Sequence, residues 1–339
     1  MSTLLDPAIL FFVFGVAAGL LRSNLEVPAA VAKFLSLYLL MALGLKGGFA
    51  LAQSGLDGRA AAAVGAALLM ALIVPALGYA LLRHRIARLD AAAVAAAYGS
   101  VSAVTFVTAI QHLDRIGLAY GGHMTVAMVL MESPAIIMAV LLANLVRHRA
   151  AAHATVSVSS GGSAALAGPP AGGPAIPGLG RILHESFTDG AHLLLLGSLA
   201  VGWISGDAGK AMMQPFSGDL FKGMLAFFLL DMGLLVARHF DAARRQSPVL
   251  IAYALFGPLV HAALALGLAL AFGLSAGDAA LLMVLSASAS YIVVPAVLRY
   301  AIPEANPSLY FGLSLGVTFP MNLLVGIPLY TALAQRLLG

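Results

Sequence analysis

The chain contains no cysteine, which excludes disulfides, thiolate catalysis and cysteine-ligated metal. It is also poor in charge. Asp, Glu, Lys and Arg make up 9% of the residues against 61% that are apolar, and the mean hydropathy is +0.98. A water-soluble globule of this composition would expose far more apolar surface than solubility allows, so the chain belongs in a membrane. A formal charge of +4 matches the basic cytoplasmic loops of such a protein rather than a nucleic-acid surface, and nucleic acid is discounted as a partner. An intramembrane enzyme would need a metal motif, a paired Asp arrangement or a Ser/His pair on neighbouring helices, and no HExxH is present. A channel would need a continuous pore, for which there is no ring of charge. No cofactor and no transition metal are expected.

What the sequence does have is apolar runs of roughly 18 to 25 residues, each long enough to cross about 30 Å of hydrocarbon as a helix. They lack the period-two alternation of barrel strands. Ten spans are predicted: Pro7 to Leu21, Val27 to Leu45, Ala60 to Leu82, Ala91 to Gln111, Ala119 to Val146, Ala191 to Ser205, Phe216 to Val236, Pro248 to Phe272, Ala279 to Leu298 and Leu309 to Leu333. Met1 to Asp6 holds no Lys or Arg, so the first run lacks the basic flank of a secretory signal and is expected to stay as a helix. With the amino terminus outside, twelve of the 18 Lys and Arg fall on inside loops and six on outside ends. The positive-inside rule then places both termini outside and the central loop in the cytoplasm. That loop, residues 148–187, is rich in Ala, Ser, Gly and Pro and reads as a flexible tether, with a docking site for a regulator as the sharper alternative.

Offsetting the chain against itself by about 188 residues brings the halves, 1–147 and 188–339, into register. Asp90-Ala-Ala lies over Asp278-Ala-Ala, Ser100 over Ser288 and Ser102 over Ser290. Each half has five spans, an odd number, so the second copy enters the membrane from the opposite side. The expected fold is an all-α membrane protein of two inverted five-helix repeats, an architecture of secondary transporters.

The fourth and ninth spans carry Ser and Gly at mid-span, where a lipid-facing helix would be Leu-rich. Gly99 would let the backbone leave helical angles, and Ser100, Ser102, Ser288 and Ser290 would each cap a restarting half-helix. Both spans therefore read as broken at their midpoints. Half-helix N-termini meeting at a shared cavity carry unpaired N–H groups and roughly half a positive charge each, enough to seat a small oxyanion without a buried Lys or Arg. The alternative is close helix packing through small residues. Thr105, Thr108 and Thr318 add hydroxyls that would ligate sodium or, equally, bond the carbonyl one turn back. Glu132 and Asp231 are carboxylates deep in apolar runs, with Glu132, before Ser133-Pro134, the better placed for ion coupling. Asp231 would pair with Lys222 or Arg238 if its span is shallower. His261 reads as a helix-to-helix hydrogen bonder.

Tyr98-Gly-Ser-Val-Ser-Ala-Val-Thr-Phe106, Met131-Glu-Ser-Pro134, Ser286-Ala-Ser-Ala-Ser-Tyr-Ile-Val-Val-Pro-Ala296, Pro303-Glu-Ala-Asn-Pro-Ser-Leu-Tyr310 and Leu315-Gly-Val-Thr-Phe-Pro320 resemble the pattern of the sodium-dependent bicarbonate transporters, along nearly the whole chain. The resemblance implies a gate domain and a mobile core domain, each drawn from both repeats, an elevator-type cycle, a homotrimer and a bacterial inner-membrane location. It implies bicarbonate at Gly99, Ser100, Val101, Ser102, Ala103, Ser288, Ala289, Ser290 and Tyr291, and sodium at Ser100, Thr105, Ser286, Ser288, Thr318 and Glu132. It also implies a PII-like nucleotide-sensing partner on the cytoplasmic face, although the Gly, Ala and Pro rich central loop departs from what such a partner would recognise. Another small anion such as a monocarboxylate would use the same half-helix pole.

Overall fold

The computed structural model describes residues 6–55, 58–132, 190–291 and 302–339, with scattered positions of 134–143 and 294–298. The expected linker, residues 148–187, and Ser133 lie outside the described residues. Among those described there is helix and no strand. The helices are α1 Pro7–Leu20, α2 Ala29–Ser54, α3 Gly58–Leu82, α4 Arg88–Gly99, α5 Ala103–Ile116, α6 His123–Glu132, α7 Gly190–Met213, α8 Leu220–Arg244, α9 Pro248–Phe272, α10 Ala276–Ala287 and α11 Pro307–Leu338. Six segments are long and apolar enough to cross a membrane among the described residues, so the chain is a multi-pass membrane protein.

Local sequence sets these bounds. Asp6 caps α1, its carboxylate accepting the Ala8 N–H at 2.9 Å with Pro7 at the first helical position. Ser247 and Pro248 repeat the device at α9. Gly117 and Gly273, at φ 69° and 62°, close α5 and α9 in the left-handed conformation that a side chain would strain. Several helices outrun the sequence expectation, among them α8, which continues past Val236 to Arg244. α2 continues past Leu45 to Ser54 because Lys46, which reads as a helix end, forms an ion pair with Asp114 at 3.0 Å. α7 continues past Ser205 to Met213 through a kink at Gly206 (φ 54°), then runs into a π turn at Gln214–Asp219.

Packing divides the helices into a panel, α1 with α8 and α2 with α7, and a bundle of α3, α4, α5, α9, α10 and α11 set against it. The panel is held by backbone touching backbone. A Cβ on Gly15 of α1 would come 2.3 Å from the Leu230 carbonyl oxygen, and one on Gly233 of α8 would come 2.2 Å from that of Phe12. In the second pair, Gly48 would meet the Leu199 oxygen at 2.2 Å and Gly202 the Leu45 oxygen at 2.6 Å. Gly15 and Gly19, like Gly44 and Gly48, stand four apart, the small-xxx-small spacing by which membrane helices approach most closely.

Two carboxylates tie the outer ends of the broken helices. Asp90, in the first turn of α4, accepts the Asn306 N–H at 2.8 Å, and Asp278, in the first turn of α10, accepts the Gly121 N–H at 2.7 Å. His123 stands 3.5 Å from the other Asp278 oxygen. The offset that aligns Asp90 with Asp278 thus also aligns their hydrogen bonds, each reaching the loop that leads into a helix of the other half.

Candidate functional site

Both predicted breaks are present. α4 stops at Gly99 and α5 starts at Ala103; α10 stops at Ala287, and helix resumes by Val294. The interruptions cross and bond to each other. Ser102 donates its N–H to the Ser288 hydroxyl at 3.0 Å, and Ser290 donates its N–H to the Ala97 carbonyl at 2.8 Å. Ser102 Oγ caps α5 by accepting the Thr105 N–H (3.2 Å) and hydroxyl (3.0 Å), and Ser290 Oγ accepts the Val294 N–H at 3.3 Å.

The paired serines therefore differ in role from the sequence expectation. Ser102 and Ser290 cap the restarting halves. Ser100 and Ser288 instead terminate the first halves: Ser288 Oγ donates back to the Leu285 carbonyl at 2.8 Å, and Ser100 Oγ is buried with no partner among the described residues. The expected reason for Gly99 is also corrected. Its φ is not positive, and what demands glycine is Pro75 of α3, whose ring carbons would lie 2.7 Å from a Cβ.

A cavity of about 100 Å³ opens between this crossing and the panel. Val101, Ser102, Ala103, Ser290 and Tyr291 line it from the crossing, and Glu132 from α6. Gly99, Ser100, Ser288 and Ala289 do not reach its wall and lie buried behind it. Because α5 begins at Ala103, the N–H groups of Ala103 and Val104 have no intrahelical acceptor, and both residues are on the wall. The wall thus presents the positive pole of a half-helix and no Lys, Arg or His among the described residues, with Glu132 its one charged side chain. Apart from Ser36 of α2, the remainder is apolar: Leu39 and Leu40 of α2, Val107, Met128, Leu195 and Phe228.

The hydroxyls expected to hold a cation divide. Ser286 Oγ, like Ser100 Oγ, is buried and without a partner among the described residues, while Thr105 is bonded to Ser102 beside the cavity. Thr108 bonds the Val104 carbonyl one turn back at 2.9 Å, the plainer of its two expected roles. Thr318 is not on the cavity wall: its hydroxyl donates to the Ala254 carbonyl at 2.8 Å and lies 2.6 Å from the Tyr98 hydroxyl. Asp231 forms no ion pair among the described residues. His261 Nδ1 is buried without a hydrogen-bond partner, so its expected helix-to-helix bond through that atom is absent; the ring instead packs edge-on near Tyr253.

One group the sequence reading missed is Asn322. π turns at Ser314–Thr318 and Asn322–Gly326 shift the face of α11 so that Thr318 supports Tyr98 of α4 while Asn322 supports α10. Asn322 Nδ2 donates at 2.7 Å to the carbonyl of Ala287, the last residue of α10, and its Oδ1 accepts the Tyr330 hydroxyl at 3.1 Å. That carbonyl is one a helix end leaves unpaired, and Asn322 is 1% exposed. A buried amide in an apolar run was the available signal. We expect Asn322→Ala to destabilise the protein by about 2 kcal/mol and Tyr330→Phe by about 1, because the first strands two buried partners and the second one. Thermal unfolding in detergent measures both, and equal midpoints for Asn322→Ala and the parent would remove this bracing role.

Two crossed helix breaks, an unpaired half-helix pole and a small cavity in a multi-pass helical protein fit a membrane transporter. The sequence profile of the Na+-dependent bicarbonate transporter superfamily matches residues 7–335, and the chain belongs to that family. No curated protein matches the chain.

Proposed function

We propose that this transporter carries bicarbonate together with sodium into the cell across the bacterial inner membrane by alternating access. The observation that carries the reading is the half-helix pole at Ala103 and Val104, open to a cavity without basic side chains. Bicarbonate would sit against those N–H groups, Ser102, Ser290 and Tyr291. Sodium would take the buried hydroxyl oxygens of Ser100 and Ser286, with Thr105 and Glu132 nearby, since hard cations prefer oxygen donors. An anion admitted beside the Glu132 carboxylate is repelled unless a cation accompanies it, which favours joint binding.

The matched pairings of α1 with α8 and α2 with α7, and the matched Asp90 and Asp278 bonds, support reading the two halves as inverted repeats. In that reading the panel is the gate, the bundle is the core that moves as an elevator, both termini lie outside, and a homotrimer forms through the panel. A PII-like partner would act on the cytoplasmic face. The apolar wall from Leu39 to Phe228 favours a second reading, a small monocarboxylate on the same pole.

Uptake of labelled bicarbonate into proteoliposomes, with sodium or potassium outside, tests the proposal. Uptake is expected to require sodium, and Thr105→Val and Ser286→Ala to raise the half-saturating sodium concentration about five-fold, the loss of about one weak ligand. Full-rate uptake in potassium would end sodium coupling. Complete competition by a monocarboxylate at lower concentration than bicarbonate would favour the second reading.

A further inference from the structure

A second and larger chamber, about 580 Å³, lies beyond the inner cavity. Its wall includes Lys46, Lys210 and Lys222 together with Asp114 and Asp219. The two carboxylates are engaged. Asp114 takes the Lys46 ammonium at 3.0 Å and the Tyr120 hydroxyl at 3.1 Å, and Asp219 accepts from the Gln214 amide at 3.3 Å. Lys46 is held further by the Phe221 ring, 4.1 Å from its ammonium. Lys210 and Lys222, both exposed, form no ion pair among the described residues. Lys46 and Asp114 neutralise each other and Asp219 keeps its charge, so Lys210 and Lys222 leave the chamber wall with one ammonium in excess.

The position relative to the inner cavity follows from three helices that line both. On α2 the inner wall has Leu40 and the chamber Lys46; on α5, Val107 and then Gln111; on α8, Phe228 and then Lys222. At about 1.5 Å of rise per residue these steps are roughly 9, 6 and 9 Å, so the chamber stands a turn or two further along the same axis. Leu43 and Leu225, each 0% exposed, occupy the intervening turns of α2 and α8. Gln111 on the chamber wall is 8% exposed and its Oε1 has no hydrogen-bond partner among the described residues.

We propose that this chamber is a vestibule that concentrates small oxyanions ahead of the inner cavity, with Lys210 and Lys222 as its anion-contacting residues. The charge on its walls supplies attraction where water is still present, and the inner pole supplies binding once water is removed. Fixed ammonium groups in a wet chamber raise the local concentration of anions and lower that of cations, and salt weakens both effects. The vestibule's role in transport rests on the anion reading above; its electrostatics do not.

The absence of cysteine makes the test direct. A single thiol introduced as Ala50→Cys, on the chamber wall, is reacted with methanethiosulfonates carrying either a sulfonate or a trimethylammonium group. Lysines also raise the thiolate fraction, but equally for both reagents, so the ratio of rates reports the local potential. The ratio is expected to favour the anionic reagent, and Lys210→Gln with Lys222→Gln to lower it about ten-fold at low salt and far less at high salt. The same pair should raise the KM for bicarbonate more than it lowers kcat. A ratio unchanged by the lysine replacements overturns the vestibule even if bicarbonate uptake is intact. A ratio that falls while no bicarbonate is transported upholds the vestibule and removes bicarbonate as its anion.

Discussion

Ser102→Leu and Ser290→Leu should each lower transport affinity more than a hundredfold, about 3 kcal/mol or greater, with the protein still folded. Both residues line a cavity of only about 100 Å³, so a leucine side chain occupies the space an anion needs. Each change also removes the oxygen that accepts the Thr105 or Val294 N–H at the start of a half-helix. The alanine variants separate these effects. They keep the space and lose the hydroxyl, which predicts an affinity loss of about 1 to 2 kcal/mol, roughly five- to thirty-fold, and a stability loss of about 1 kcal/mol from the missing cap. Concentration dependence of labelled-anion uptake, beside thermal unfolding in detergent, gives both quantities. Unchanged apparent affinity in both alanine variants would make the serines packing residues.

Gly233→Leu is expected to have the largest effect on stability, about 4 kcal/mol or more, and to prevent recovery of a folded protein. A Cβ there falls 2.2 Å from the Phe12 carbonyl oxygen and 3.0 Å from the Gly15 Cα, contacts with backbone that no rotamer change relieves. The helices would have to separate, losing the close packing and weak backbone contacts that hold membrane helices together. Gly223→Leu on the same helix is the matched control, because nothing lies within 4 Å of its Cβ position. Size-exclusion profiles and thermal midpoints of the two variants decide the matter, and indistinguishable profiles would show that the α1–α8 crossing tolerates separation.

Much of this architecture is legible in the sequence because its signals are local. Apolar run length marks the helices, and a cluster of small hydroxyl residues at mid-span marks the breaks at Gly99 to Ser102 and Ser288 to Tyr291. What fails is whatever depends on a distant neighbour. In a Ser-x-Ser pair the sequence does not say which hydroxyl caps, and the answer, Ser102 and Ser290, follows from how the two interruptions cross. Gly99 looks like a flexible joint until Pro75 is seen against it. Lys46 looks like a helix end until Asp114 neutralises it. Thr318 reads as a cation ligand because its hydroxyl is visible in sequence, whereas the π turns that direct it to Tyr98 and Ala254 are not. Asn322 was open to the same argument as Glu132, a polar group placed in an apolar run.

The carboxylate of Asp90 has consequences for how the chain is made. Its acceptor oxygen is satisfied by the N–H of a residue 216 positions later, so at about 5 to 20 residues per second the ribosome needs roughly ten to forty seconds to supply that partner. For the first part of that interval, until residues 190–244 are made, α1 and α2 also wait in the bilayer, since α8 and α7, against which their glycine faces close, have yet to emerge. The early half must therefore survive as inserted but unassembled helices, with Gly15 and Gly48 turned toward lipid. Pairing across the halves then makes the final helix, α11, the step that completes Asp90, Tyr98 and the end of α10 together, so a nascent chain released before residue 306 should present quality-control proteases with an open bundle.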